Sequence, residues 1–200
     1  MVRRFSLTAL AIVVTLAIPV ALFAQDTTAT TKHLREGFWL RFGVGYGTAD
    51  GSTSGIIEED LDSDQGPSGF LALGGQLSPI FGLGGGSFAI TNSEDDQDAV
   101  YGLVAPTLVI TPSPTTGFYL QTSIGFLVYR ERGPFMDVDG IGWGIGLGAG
   151  YDVRVARMLS ISPYANFMYG RTGDLEVDGT SVDLQLNGYI FQGGFSLTVH

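Results

Sequence analysis

The sequence predicts an all-β fold, an eight-stranded antiparallel up-and-down transmembrane β-barrel with bulky apolar side chains outward and glycine or polar groups inward. Three observations lead there. In Ile141–Val155 (IGWGIGLGAGYDVRV) every second residue is Ile, Trp, Ile, Leu, Ala, Tyr, Val and Val, and the residues between are five glycines, Asp152 and Arg154. Successive strand side chains point to opposite faces, so this period of two makes one face apolar and leaves the other nearly bare. Second, the connections between such strands alternate between acidic stretches and short uncharged turns. Third, after the first 24 residues no apolar run is long enough for a membrane helix, so any crossing must be made by strands.

Composition narrows the class further. Two hundred residues suit one domain, and with no cysteine neither a disulfide framework nor a thiolate metal site can form. Residues 1–24 read as a signal peptide: Arg3 and Arg4 are followed by the apolar run Phe5–Leu22, and Ala24 precedes the cut before Gln25. Cleavage would leave 8 Lys+Arg against 20 Asp+Glu, a net charge of −12 that excludes nucleic acid as a partner. Residues 25–36 are polar and Thr-rich and read as a disordered periplasmic lead-in, and residues 37–200 as the barrel domain.

The elements follow in order. The first strand, Gly37–Gly47, sets Phe38, Leu40, Phe42, Val44 and Tyr46 against Trp39, Arg41 and three glycines. Thr48–Ser68 reads as a long acidic loop. The second strand, Gly69–Leu77, ends at the tight Ser78-Pro79 connection, and the third, Ile80–Thr91, has no clear facing because of Gly84, Gly85 and Gly86. Asn92–Asp98 reads as the second acidic loop. The fourth strand, Ala99–Ile110, contains Pro106, which cannot donate to a ladder and predicts a bulge. After the uncharged turn Thr111–Thr116, the fifth strand, Gly117–Arg130, opposes Leu120, Ile124, Phe126 and Val128 to Tyr119, Gln121, Ser123 and Gly125. Glu131–Gly140 is the third acidic loop, and Ile141–Val155 is the sixth strand. A reversal at Ala156–Met158 leads to the seventh, Leu159–Gly170, with Ser160, Ser162, Tyr164 and Asn166 on its polar side. The fourth loop, Arg171–Ser181, precedes the last strand, Val182–Val199.

The loops after the odd strands hold 17 of the 20 acids once Asp183 is included, and the turns after the even strands hold none. Every acidic loop therefore falls at one end of the meander. FWLRFGVGYG, TTGFYLQTSIGFLVYR and the closing GGFSLTVH give the chain a resemblance, over Gly37–His200, to the small eight-stranded outer-membrane barrels of the OmpA, OmpX and opacity-protein type. It departs from them at Val199-His200, where such barrels end in an aromatic residue; Phe195 lies inside the terminal strand. The resemblance implies a monomer in a Gram-negative outer membrane, with lipid and lipopolysaccharide as its surroundings.

Candidate functional residues are few. Eight strands leave a lumen just wide enough for side chains to fill. Arg41, Gln76, Tyr119, Gln121, Asp152, Arg154 and Tyr164 face it, and Asp152 is expected to pair with Arg154 or Arg41. Tyr46, Tyr129, Trp143 and Tyr169 toward the loops, with Phe118 and Tyr151 toward the turns, are placed as interfacial aromatic belts. Asp60, Asp62 and Asp64 start like a calcium loop, but Gln65 and Leu71 stand where that motif needs Gly and Glu, leaving weak divalent binding at most. His33 and His200 both fall at the turn end, far from the acidic loops, so no base is placed for catalysis and no cofactor motif is present. The expected role is non-catalytic, in envelope integrity or in contact with a surface ligand through the acidic loops. A narrow channel or small-ligand carrier and a soluble lipocalin-like binding barrel are the alternatives.

Overall fold

The computed structural model describes residues 37–55, 59–60, 63–94, 97–113, 116–134 and 136–200. The expected signal peptide and lead-in lie outside the described residues. Eight strands form the ring: β1 (Phe38–Gly55), β2 (Asp64–Gln76), β3 (Phe81–Glu94), β4 (Gln97–Ile110), β5 (Phe118–Arg132), β6 (Asp137–Tyr151), β7 (Leu159–Thr172) and β8 (Leu184–Val199). Each pairs antiparallel with its sequence neighbour, and β1 closes on β8 from Leu40↔Val199 to Gly55↔Leu184. A closed ladder leaves no edge of unpaired amides in hydrocarbon.

The outside of this ring is apolar. On β1 the exposed set runs Phe38, Leu40, Phe42, Val44, Tyr46, and on β6 it includes Ile141, Trp143, Ile145 and Leu147. Phe126 and Phe195 are about two-thirds exposed, at 67% and 65%. From Phe38 to Tyr46 the strand climbs about 27 Å at ~3.4 Å per residue, which a tilt of about 40° reduces to about 21 Å. That is close to the ~25 Å lipid-facing band of transmembrane barrels. No helix among the described residues is long and apolar enough to cross a membrane.

The expected loops are shorter than the sequence suggested. Thr48–Ser68 is largely strand: β1 continues to Gly55 and β2 starts at Asp64, paired with Ala49. In Asn92–Asp98 the ladder reaches Glu94↔Gln97, which leaves a tight hairpin. Within Arg171–Ser181, Leu175–Val177 and Thr180–Val182 form a small hairpin around Asp178 (φ 49°) and Gly179 (φ 77°). An Asp-Gly pair with both φ positive matches the twist of flanking strands, a signal the composition of this stretch obscured. Above the membrane band the outward side chains are Thr, Ser, Gly and Asp, so the ladder continues with no hydrophobic alternation to announce it.

Two prolines interrupt ladders without shifting them. Between β4 and β5 pairing lapses at Ala105 and Pro106 and resumes in the same register at Thr107↔Ser123. The expected bulge is absent, because the missing N–H costs a ladder bond but inserts no extra residue. The sixth strand, expected to be continuous, splits at Asp152, and its continuation Val153–Ala156 pairs again at Val153↔Ile161. The residue opposite Tyr151 in that unchanged register is Pro163, and Asp152 N donates to Gly117 O at 2.8 Å instead.

Closure also needs small residues where the walls approach. A Cβ on Gly45 would lie 2.1 Å from Gly193 O, and one on Gly194 would lie 2.1 Å from Val44 O. Gly45 and Gly194 are direct partners on the closing ladder. Gly45→Val should therefore part β1 from β8 and destabilise the barrel by about 1–3 kcal/mol. Unfolding in urea, followed by the mobility difference between folded and boiled protein on a gel, measures that loss.

Candidate functional site

Among the described residues the lumen is packed with side chains from the turn end to the middle of the barrel. At the turn end Arg41 and Asp152, 3% and 1% exposed, form an ion pair with Nη2 3.5 Å from Oδ2. Arg41 Nε donates to Thr198 Oγ1 at 2.9 Å, and Ser162 Oγ donates to Asp152 Oδ1. The guanidinium carbon stands 3.8 Å from the ring centre of Tyr119, within cation–π range. The register explains this convergence. Arg41 pairs with Thr198, Thr198 with Ser160, and Ser160 with Arg154, so one inward row crosses four adjacent strands. Arg154 is half-buried on that row, and His200 Nε2 lies 3.0 Å from Ser160 Oγ at its rim. Gln76, also half-buried, donates from Nε2 to Ser78 O and braces the turn between β2 and β3.

Above the ion pair the filling stays polar on one wall. Gln121 Nε2 donates to Asn166 Oδ1 at 2.8 Å, and the Thr107 and Ser123 hydroxyls are 2.8 Å apart. The opposite wall is aromatic: Phe70 stacks on Phe88 with centroids 5.5 Å apart and meets Tyr164 edge-on at 4.8 Å. Toward the loops the cross-section becomes mainly apolar, with Ile90, Leu103, Met168 and Ile190 all buried beside Gln192. This departs from the expected glycine-and-polar lining. β2, β3 and β4 carry large apolar side chains on both faces, so Phe70, Phe88 and Leu103 turn inward while Leu71, Leu83 and Val104 turn outward.

At the loop end the Tyr101 and Tyr129 rings meet at 4.8 Å. Tyr101 donates to Asp64 Oδ2 at 2.7 Å, Asn92 Nδ2 donates to Asp64 Oδ1 at 2.6 Å, and Tyr129 donates to Glu131. Tyr129, expected in the interfacial belt, is thus an inward residue, 7% exposed; its place on β5 is in phase with Tyr119 and Gln121. Tyr46, Trp143, Tyr151, Tyr169 and Phe118 are exposed on the outer face. Of the three aspartates read as a weak cation site, Asp62 and the side chain of Asp60 lie outside the described residues. Asp64 has both oxygens engaged by Asn92 and Tyr101. No cluster of His, Cys, Asp or Glu fit for a metal occurs among the described residues.

Below this crown, Ala49, Tyr101, Leu127, Met168, Leu186 and Ile190 line a small hollow that is partly open to solvent. Sequence reasoning missed both the hollow and Tyr101. A strand such as GFLALGGQ, apolar on both faces, carries no sign of which face is inside. The inward phase of Asp64, six residues before Phe70, was the one available clue.

No protein-family model matches the chain, and no curated protein sequence matches it. Its likeness is to solved structures. Neisserial surface protein A superposes with a TM-score of 0.50 at 12% identity, covering 82% of this chain and 97% of that one. The outer-membrane protein OprG of Pseudomonas aeruginosa gives 0.49 at 11% identity, over 85% and 100%. The fold is that of the small outer-membrane barrels.

Outside the membrane band, Asp139 accepts from Arg130 Nε and from Arg132 Nη2, each at 2.8 Å. These bonds, Arg130 first, hold its carboxyl below the usual carboxylate range. A lowered carboxyl stabilises the folded hairpin above the ordinary carboxylate pKa, and the contribution fades as pH falls through the lowered value. Arg130→Gln should raise the Asp139 pKa toward its ordinary value, as read by NMR titration of its carboxyl carbon. The buried pair gives a second prediction. Arg41→Met should cost roughly 3–5 kcal/mol by leaving Asp152 buried without its cation, whereas Arg41→Met with Asp152→Leu should recover most of that loss. Urea unfolding of both variants in detergent micelles makes the comparison.

Proposed function

We propose that this chain is a non-catalytic barrel of a Gram-negative outer membrane that acts through its acidic loop end, in envelope integrity or in contact with a surface ligand. The observation that carries this reading is a lumen packed from the turn end to the middle of the barrel beneath an acidic loop end. The Arg41–Asp152 pair, the aromatic layer of Phe70 and Phe88, and the apolar layer of Leu103 and Met168 occupy successive levels of one narrow interior. Such a stack suits a structural plug better than a conducting path. The apolar exterior supports a lipid surrounding over a soluble lipocalin-like barrel, which would hide those side chains in its core. Several of the acids are carried on paired strands above the band, where Asp139 and Glu176 face each other across one small sheet and Asp178 stands in its turn.

Nothing among the described residues assembles a nucleophile with a base at the loop end, since His200 sits at the opposite mouth bonded to Ser160. The reading is tested by planar-bilayer recording together with replacement of residues 53–63 by a two-residue turn. The wild-type protein should give no steady conductance. The shortened variant should keep its folded gel mobility while cells carrying it take up more of a hydrophobic dye or lose surface binding. A steady open level in the wild type would overturn the reading.

A further inference from the structure

We propose that the hollow beneath Tyr101 and Tyr129 is a binding site for a slender organic cation, an alkyl chain ending in an ammonium group. The inference rests on the loop-end reading above and names the class of ligand that end would take. Three features point the same way. The hollow lies between two apolar layers, with Ala49, Met168 and Ile190 on the turn side and Leu186 and Tyr129 on the loop side. Its wall on the closing ladder is the directly paired Gly51 and Gly188, which present no side chain to the interior. An apolar chain replaces nothing polar there and gains the hydrophobic contact of its own length.

The mouth selects the charge. Tyr101 and Tyr129 present their rings to the hollow, and their hydroxyls are held by Asp64 and Glu131. Tyrosine faces attract a cation, and the two carboxylates at the rim, Asp64 and Glu131, attract it further while repelling an anion of the same shape. A quaternary ammonium group needs no hydrogen-bond acceptor, so it can rest against the rings without breaking the bonds that hold them. Met168, an unbranched and adaptable side chain, lies where the far end of the ligand would press.

The test uses the protein in phosphatidylcholine nanodiscs, labelled with ¹³C at the methionine methyl groups and titrated with hexyltrimethylammonium. The Met168 methyl should shift saturably, while those of the exposed Met136 and Met158 stay in place. Hexanoate should produce no such shift at low salt. Ala49→Leu, which fills the hollow from β1, should weaken the response about tenfold. Asp64→Asn keeps an oxygen for Tyr101 and, with the Asn92 amide turned to offer its oxygen, removes the charge while keeping both bonds, so it tests the rim without emptying the core. It should weaken the response roughly fivefold. Absence of a saturable Met168 shift, or an equal response to hexanoate, would overturn the proposal. A saturable shift combined with normal dye exclusion and surface binding in cells carrying the shortened hairpin would leave the site standing and remove the functional reading alone.

Discussion

The structure depends on one constraint: in hydrocarbon no backbone amide can go without a partner. The β1–β8 ladder meets it by joining the two ends of the described chain over sixteen residue pairs. Much else follows from that closure. The ring fixes which residues face lipid, and it brings Arg41 to Asp152 across 111 positions of sequence. It also requires Gly45 and Gly194 where the first and last strands draw close. The two lapses in pairing, at Pro106 and opposite Pro163, fall where a proline has no N–H to offer, so both are the least costly places for a ladder to skip.

Inside, the filling is graded rather than uniform. The turn end is ionic and hydrogen-bonded, the middle is divided between amides and aromatics, and the loop end is apolar up to the tyrosine crown. An ion pair as buried as Arg41–Asp152 is weak evidence for stability, because desolvation offsets most of the attraction. Its surroundings show how the cost is limited. Thr198 and Ser162 each take one of the pair's remaining valences, and the Tyr119 ring covers the guanidinium. The apolar layers toward the loops supply hydrophobic burial that the polar half does not.

How much of this was legible in the sequence varies by strand, for a physical reason. β1, β5, β6 and β7 alternate bulky apolar residues with glycine, serine or charge, so their facing could be read directly; the burial of β7 alternates at every position after Leu159. β2, β3 and β4 are apolar on both sides, and nothing local distinguishes Phe70 from Leu71. The length of the strands was legible only up to the lipid boundary. Beyond it, outward positions meet water, and threonine, serine and aspartate serve in a ladder as readily as in a loop. Tyr129 lies near a strand end, where belt aromatics also lie, but its parity with Gln121 sets it inside. The acidic character of the loop end was fully visible, since it rests on charge and order along the chain.

The continuation of the strands past the lipid band changes what the acidic end is mechanically. Carboxylates on a tethered coil would adapt their spacing to any visitor and would lose that freedom on contact. Here Asp64, Asp139 and Glu176 stand on stiff ribs at heights set by ladder register. A visitor with matching charges meets a surface already arranged and forfeits little entropy in ordering it. One with the wrong spacing finds a surface that will not rearrange to suit it. For the surface contact proposed above, selectivity at this end would be a matter of geometry built into the wall.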